Sequence, residues 1–487
     1  MGALRPPSPT GVRTAGDRYQ WLVAWNACVA VLWDAATDAD NPAVTVGIEV
    51  DNAGNLDDVV IRRLRPPHSY AQVKYAVNSS TPVSISYLTA PSKTGGPSIL
   101  QKIASAWRQL AQRGEPVELS IITNRAPDPS DALIKGRDAR TGLLVPAAEA
   151  GGPRSVLGAV RRQWAQAAGL TEPELLDLLG ILVFDLARDR PHLEQIGKLT
   201  MLVSGLRGDD AALAAGADWV AEQVVAGQRE LDITAIRQAV SMRNLGSGPA
   251  QTVVSIATLS PDPLAAQAIY TLDWVDRFDG ENAYAKRRPK PPASWQQLQA
   301  DIEQIPARIG GVSRVAITGT FRQATAFTIG AALRMVTQTD VAVVQRGVLW
   351  RSDAAYESPS FPAITDYDLG QGDDIAIGVE ISTALREDVR SFLREQQVPA
   401  GRLVILSPPG GFRDNAVSGP EDAAALAVGI RDTVRQLVRG HRRVHLFLAG
   451  PMGLALLLGH RWNRVAPTVV YEDLAALGYE AAFTISA

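Results

Sequence analysis

Gln72 and Lys74 stand two residues apart in the segment Tyr70-Ala-Gln-Val-Lys-Tyr-Ala. In a β-strand that spacing sends both side chains to one face. Upstream lies the acid pair Asp57-Asp58, with Asp58-Val-Val-Ile opening a second strand, and Glu49 precedes it. An acid at the start of one strand beside a lysine on its neighbour suits metal-dependent phosphodiester hydrolysis. Carboxylates hold Mg²⁺ (or Mn²⁺) against a phosphate oxygen, while the lysine steadies the attacking hydroxide and the growing phosphorane charge. Asp58, Gln72 and Lys74 are the candidate catalytic set, and Glu49, Asp57, Asp58 and Gln72 the candidate metal ligands. Which of the three acids bind metal stays open. An Asp and a Gln-x-Lys also arise by chance on solvated strand faces. Two features of the context favour the chemistry. Val73, Tyr75 and Val77 alternate onto the opposite, buried face, and Asn52-Ala-Gly-Asn55 is a turn that would bring Glu49 and Asp58 to adjacent strand ends.

The elements that must position these groups follow from periodicity. Residues 16–33 form a largely buried helix, followed by strands at about 44–50, 57–64, 70–77 and 84–88. Ile99, Ile103, Trp107 and Leu110 recur at helical spacing up to the stop signal Gly114, and 117–122 is a further strand. The result is an α/β domain over residues 1–150, closed by the Gly/Pro-rich stretch 146–153. Arg62, Arg63, Arg65 and His68 lie between the two active strands, where they would meet DNA phosphates; a solvated loop accounts for them equally. Residues 151–245 form a helical bridge without evident chemistry. In it Thr171-Glu-Pro-Glu174 has capping-box form and residues 175–182 continue as buried helix. Residues 244–249 are a linker.

This first domain resembles the PD-(D/E)XK nucleases, in the Mrr-like variant where Gln precedes the lysine. It also resembles the N-terminal endonuclease domain of certain bacterial anti-phage effectors, on Gly16-x-x-Tyr19-Gln20, Asp57-Asp58, Gln72-x-Lys74 and Thr123-Asn124. The resemblance implies a restriction-endonuclease-like fold and double-stranded DNA as substrate.

Beyond the linker an internal repeat appears. Residues 314–319, a helix at 325–335 and a strand at 341–345 are matched by 444–450, 452–462 and 468–471. Both helices contain an apolar-Gly pair, Ile329-Gly330 and Leu458-Gly459, where close packing on a sheet would favour glycine. Each unit is a βαβ half with parallel strands, so the loops at the strands' C-terminal ends surround one crevice, with phosphates expected over helix N-termini. The candidate ligand residues are Thr320, Phe321 and Arg322 in one loop and Pro451 and Met452 in the other. Backbone amides, Thr320 and Arg322 would hold phosphate, and Phe321 or Trp350 would stack on a base. Ser407-Pro-Pro-Gly-Gly411 is a third candidate loop, and the basic run Lys286-Arg-Arg-Pro-Lys290 reads as a solvated loop, with contact to ligand or DNA left open. The two repeated loops differ, which predicts one asymmetric pocket.

Residues 250–487 resemble the SAVED sensor domain, a fused pair of CARF-like Rossmann units, on Thr271-Leu-Asp-Trp274, Phe278, Trp295, the 319–330 loop and helix, Leu448-Ala-Gly-Pro451 and Leu458-Gly459. The resemblance implies binding of a cyclic oligonucleotide, adenine-containing, made by a partner nucleotidyltransferase during phage infection; given that ligand class, the unlike loops point to a cyclic trinucleotide. The domain order resembles the endonuclease effectors of CBASS systems, which implies a homo-oligomer on activation.

Composition limits the alternatives. At 487 residues the chain needs more than one core. The single cysteine, Cys28, permits neither disulfides nor a cysteine-based zinc site, and the five histidines have no metal-ligand spacing. Residues 1–14 lack an apolar signal core, and the apolar stretch 444–459 is too short to span a bilayer, so the expectation is a cytoplasmic protein without a membrane partner. A net charge of −3 gives no global pull toward nucleic acid. Two other readings remain: a catalytically silent cyclic-nucleotide sensor that recruits a partner, and a constitutive modification-dependent restriction endonuclease. The second has no need of the duplicated unit, and the first no need of an intact Asp58/Gln72/Lys74 set.

Overall fold

A computed structural model describes residues 8–51, 53–92, 95–138 and 141–487. Asn52, the first residue of the expected turn, and residues 1–7 of the N-terminal segment lie outside it. The chain forms two compact units, Met1–Ala250 and Gln251–Ala487.

The first unit opens with α1 (Pro9–Ala36), started by Ser8, whose hydroxyl accepts from the Gly11 amide, and by proline at the first helical position. There follow β1 (Ala43–Gly47), β2 (Val59–Arg63), β3 (His68–Lys74), α2 (Ile85–Thr89), α3 (Ile99–Ala111) and β4 (Val117–Thr123). After these come α4 (Val145–Glu149), α5 (Val156–Ala168), α6 (Glu172–Ile181), β5 (Leu182–Asp185), α7 (Arg190–Val203), α8 (Asp210–Val225), β6 (Glu230–Asp232) and α9 (Ile233–Met242). The strands make one sheet in the order β5-β4-β3-β2-β1-β6. The β3–β4 and β4–β5 pairs are parallel and the other pairs antiparallel. Alternation along the strands divides the apolar side chains between two cores. Tyr70, Leu119, Ile121 and Phe184 pack with Leu100, Ile103, Trp164 and Leu178 from α3, α5 and α6. Val46, Val59 and Val73 pack with Trp25, Cys28, Met201 and Trp219 from α1, α7 and α8.

Several expectations are corrected here. Residues 84–88 are not a strand: the Ser84 hydroxyl accepts from the Tyr87 amide at 3.3 Å and starts the short helix α2. The third strand ends at Lys74, and Val77 is exposed instead of alternating into the core. Leu182 leaves the helix and opens β5. The helical region is also no separate bridge, because β5 and β6 complete the sheet at its two edges.

The second unit contains β7 (Thr252–Ala257), β8 (Tyr270–Asp273), α10 (Trp295–Glu303), α11 (Ile305–Ile309), β9 (Arg314–Thr318), α12 (Gln323–Ala332), β10 (Asp340–Gln345) and β11 (Val348–Arg351). It continues with β12 (Ala363–Asp368), β13 (Asp374–Glu380), α13 (Arg386–Glu395), β14 (Ala400–Ser407), α14 (Pro420–Leu437), β15 (Val444–Ala449), α15 (Met452–Arg461), β16 (Thr468–Asp473) and β17 (Tyr479–Ile485). Two sheets result, β11-β10-β9-β7-β8 and β12-β14-β13-β15-β16-β17. Apart from the extra edge strand β12, the second order repeats the first strand for strand. In both, four parallel strands carry one antiparallel edge strand beyond β10 or β16. The duplication therefore extends further than the sequence repeat.

The paired glycines have a different reason from the one expected. A Cβ on Gly330 would lie 2.0 Å from the Leu456 carbonyl oxygen and 2.7 Å from the His460 nitrogen. A Cβ on Gly459 would lie 2.0 Å from the Phe327 carbonyl and 3.0 Å from the Ala331 nitrogen. The contact is reciprocal: α12 and α15 cross backbone against backbone, helix on helix, about a pseudo-twofold axis. A sheet is not the partner.

Candidate functional sites of the two units

In the first unit the sheet brings the expected acid and lysine together. The β2–β3 pairing sets Val59 opposite Ala71, so Asp58, just before β2, meets the end of β3. Its Oδ2 accepts from the Val73 amide at 2.7 Å and from the Gln72 side chain, and Lys74 Nζ lies 3.5 Å away. Gln72 is buried and Lys74 half-exposed, so a desolvated amide fixes the carboxylate while the ammonium remains open to a substrate. Burial pushes the Asp57 carboxyl above its ordinary range, with the Asp58 and Glu49 carboxylates adding to the shift and Lys74 opposing it.

Glu49 has φ +50°, the left-handed region that a non-glycine residue seldom occupies. It is held there from the segment before β6: the Ile48 amide donates to the Arg229 carbonyl at 2.8 Å, and the Arg229 guanidinium donates to the Glu49 carbonyl. Gln20 of α1 donates to Glu49 Oε1 at 3.4 Å and to the Asp58 carbonyl at 3.3 Å. Asn124 pairs with Ala76 in both directions, at 2.9 and 2.7 Å, and fixes the chain just after Lys74. Gln20, Asn124 and Arg229 were not singled out as site residues. Gln20 and Asn124 fell within the quoted motifs, whereas no local signal marks Arg229.

Among the described residues no three His, Cys, Asp or Glu side chains converge to hold a metal. Glu49, Asp57 and Asp58 are oxygen donors, the type that Mg²⁺ takes, and it binds through one or two carboxylates with water in its remaining positions. The Gln72 amide nitrogen is bound to Asp58, which leaves its carbonyl oxygen as the metal donor. The arginines expected to meet phosphate are tied within the unit: Arg62 to Glu230 at 3.4 Å, Arg63 to Asp34 at 3.6 Å, and Arg65 to the Asp40 carbonyl at 2.9 Å. His68 opens β3 and accepts from the Arg63 amide at 3.2 Å.

In the second unit the repeated loops stand at the C-terminal ends of β9 and β15, but most of the side chains expected to bind are occupied. Phe321 is 4% exposed and Trp350 1%, so neither ring has a free face for a base. Pro451 is buried and Met452 packs against the core. Thr320 is exposed, yet its hydroxyl is shared with Ser260 Oγ at 2.8 Å and accepts from the Ser260 amide at 3.0 Å. The Arg322 guanidinium donates to the carbonyls of Lys286 at 2.8 Å, Tyr284 at 3.1 Å and Ala283 at 3.5 Å. Burial and the neighbouring Arg287 hold its pKa below the ordinary value.

The helix N-termini are occupied too. The Ala324 amide at the start of α12 donates to Glu472 Oε2 of β16 at 3.3 Å. The shift along the chain that carries Gly330 to Gly459 carries Ala324 to Gly453. The Gly453 amide, at the start of α15, donates to Gln345 Oε1 of β10 at 3.0 Å. Each half thus caps the other's helix with a strand-end side chain, and these two amides are not offered to phosphate. Glu472 is buried and its carboxyl is pushed up to about 8, by desolvation above all. The basic run is not wholly solvated either: Lys286 is buried, with Nζ donating to the Val275 carbonyl at 2.6 Å. A cleft of about 740 Å³ beside β17 carries Asp388, Glu395, Asp473 and Glu480 against Arg288, the wrong sign for a polyphosphate.

Residues 298–485 match the family described as the SMODS-associated and fused to various effectors sensor domain, SAVED. The strings Thr271-Leu-Asp-Trp274, Phe278 and Trp295 precede the matched region; Leu272, Trp274, Phe278 and Trp295 are core, and Trp295 packs edge-on against Phe278 at 5.7 Å and Phe483 at 5.3 Å. Over 487 residues the chain is 24% identical to CD-NTase-associated protein 4 of Enterobacter hormaechei subsp. hoffmannii (strain UCI 50), covering 90% of this chain and 93% of that protein. Among solved structures it is similar to the Acinetobacter baumannii Cap4 SAVED/CARF-domain containing receptor with the cyclic trinucleotide 2'3'3'-cAAA, at 14% identity, TM-score 0.43 and 100% coverage of both chains. The Moraxella osloensis Cap4 receptor gives 14% identity and TM-score 0.41, covering 97% of this chain and 99% of that one. Among the described residues no helix is long and apolar enough to cross a membrane.

Proposed function

We propose that the chain is a cyclic-oligonucleotide-activated DNA endonuclease of CBASS-type anti-phage defence. In this reading the SAVED-matching second unit senses the ligand and the first unit cuts double-stranded DNA. The observation that carries the enzymatic half is the convergence of Gln72, the Val73 amide and Lys74 on one carboxylate oxygen of Asp58. Three donors on a single oxygen orient the carboxylate before any metal or substrate arrives, which is the preorganisation phosphodiester hydrolysis requires. Asp57, Asp58 and Glu49 would hold Mg²⁺ or Mn²⁺, which supplies charge neutralisation at a phosphate oxygen and acidifies water. Lys74 places a positive charge beside the reacting phosphate, Gln72 keeps the carboxylate in place, and Gln20 ties Glu49 to the Asp58 main chain.

In the sensor, unlike loops after β9 and β15 and unlike caps, Glu472 against Gln345, support an asymmetric pocket and a cyclic trinucleotide. The base, adenine, rests on the resemblance. Ligand-driven association of chains would couple the units. The test is plasmid cleavage with Mg²⁺ and a panel of synthetic cyclic di- and trinucleotides. Cleavage with one ligand only, accompanied by larger assemblies in solution, supports the proposal. Equal cleavage without ligand favours a constitutive restriction enzyme. Ligand binding without cleavage in Mg²⁺ or Mn²⁺ favours the silent sensor.

A further inference from the structure

With Phe321 and Trp350 buried, the sensor lacks its expected stacking rings, and both helix-start amides are capped from within. A different element of the second unit supplies what is missing. Tyr284 is 88% exposed, against 55% for Phe361 and 41% for Phe412. It stands on the loop 279–290, which is tightly built. Asn282 Oδ1 accepts from the Tyr284 and Ala285 amides, each at 3.1 Å. Asp279 Oδ1 accepts from the Arg287 amide at 2.8 Å and the Arg288 amide at 3.1 Å. Gly280 leaves no room for a Cβ, which would lie 2.5 Å from the Ala285 carbonyl carbon.

The loop is also fastened to both halves at the C-terminal ends of their strands. Arg322, which precedes α12, binds the carbonyls of residues 283, 284 and 286, and Arg287 reaches the Asp473 carbonyl at the end of β16 at 3.5 Å. A large aromatic ring left in water on an ordered loop has its main-chain ordering cost met during folding, so stacking on a flat partner has less entropy to overcome. Arg322 donates to the Tyr284 carbonyl itself at 3.1 Å, so the main chain that carries the ring is held directly.

We infer that Tyr284 is the base-stacking residue of the nucleotide sensor, presented at the C-terminal ends of the strands by a loop that Arg322 pins. Arg322 then acts through the loop as a positioning residue. This inference rests on the sensor reading of the second unit. It is tested on the full chain by calorimetric titration with synthetic cyclic di- and trinucleotides, comparing the unsubstituted chain with Tyr284→Ala and Tyr284→Phe. For the tightest-binding ligand, Tyr284→Ala should weaken affinity roughly ten- to a hundredfold, the range of losing one base–aromatic stack. Tyr284→Phe should stay within about twofold, since a ring suffices for stacking. The melting temperature of Tyr284→Ala without ligand should be unchanged, which separates lost binding from lost folding. Unaltered affinity in Tyr284→Ala, with the unsubstituted chain binding normally, overturns the inference and leaves the sensor reading intact. An unsubstituted chain that binds no member of the panel overturns the sensor reading itself.

Discussion

The two units gather polar groups in opposite ways. In the first, Asp58, Gln72 and Lys74 sit at the ends of adjacent strands, and the period of two fixes which way each side chain points. In the second, the residues at the equivalent-looking strand ends are spent on holding the duplicated halves together. Glu472 and Gln345 cap helices, Arg322 binds a loop, and Phe321 and Trp350 fill the core. A strand-end cluster can stay partly open in one place and be joinery in another. The difference lies in what each side chain already touches.

The sharpest way to break this comparison is at Lys74. If its charge acts on the transition state, Lys74→Ala should lose roughly a hundredfold or more in ligand-activated cleavage while DNA binding persists. Asp58→Ala should do the same and also weaken Mn²⁺ binding, followed by its electron paramagnetic resonance. Full cleavage by Lys74→Ala would make the first unit's cluster joinery as well.

On the second unit, Gly330→Ala or Gly459→Ala forces a methyl group into the facing helix backbone. Either should destabilise the protein by about 1–3 kcal/mol, read from denaturant midpoints, as overpacking typically does. An unchanged midpoint would mean the helices can separate without cost.

Glu472 gives a pH test. Its carboxyl, normally near 4.5, is raised to about 8 in the folded chain, so the native state binds the extra proton between those values. The stability it confers is complete below 4.5 and is lost as pH rises through about 8. His460 works at the acid end: burial depresses it from 6.5 to about 4, so stability falls as pH drops from 6.5 toward 4. Between 4.5 and 6.5 the two slopes oppose each other, so melting temperatures should fall chiefly as pH rises from 6.5 toward 8, and Glu472→Gln should flatten that limb alone. A limb unaltered by that substitution would show that another group titrates.

The smallest effect is at Ser84. Losing its cap on α2 should cost about 1 kcal/mol, measurable by chemical denaturation, with cleavage retained because α2 contributes no side chain to the Asp58 cluster.

The arrangement of Asp58, Gln72 and Lys74 was legible in the sequence because its logic is local. Val73 inward with Gln72 and Lys74 opposite is visible in five residues. The glycine pair and the two βαβ repeats were equally visible, but not their partner, since a helix facing a helix and a helix facing a sheet both favour small residues. What stayed hidden came from distant chain: Arg229 supporting Glu49, Glu472 and Gln345 crossing between halves, and Arg322 tying down the loop of Tyr284. Residues 84–88 were misjudged for a more ordinary reason. Ser84 followed by apolar residues is compatible with either a strand or a capped turn of helix, and the Ile85 amide donating to Asp131 Oδ2 at 2.7 Å favours the second.

The crossing of α12 and α15 has a mechanical consequence. Main chain rests on main chain there, with no side chain between to change rotamer, so the contact has little room to adjust. The loops after β9 and β15 lead directly into those two helices, and the halves of the second unit thus share one stiff joint.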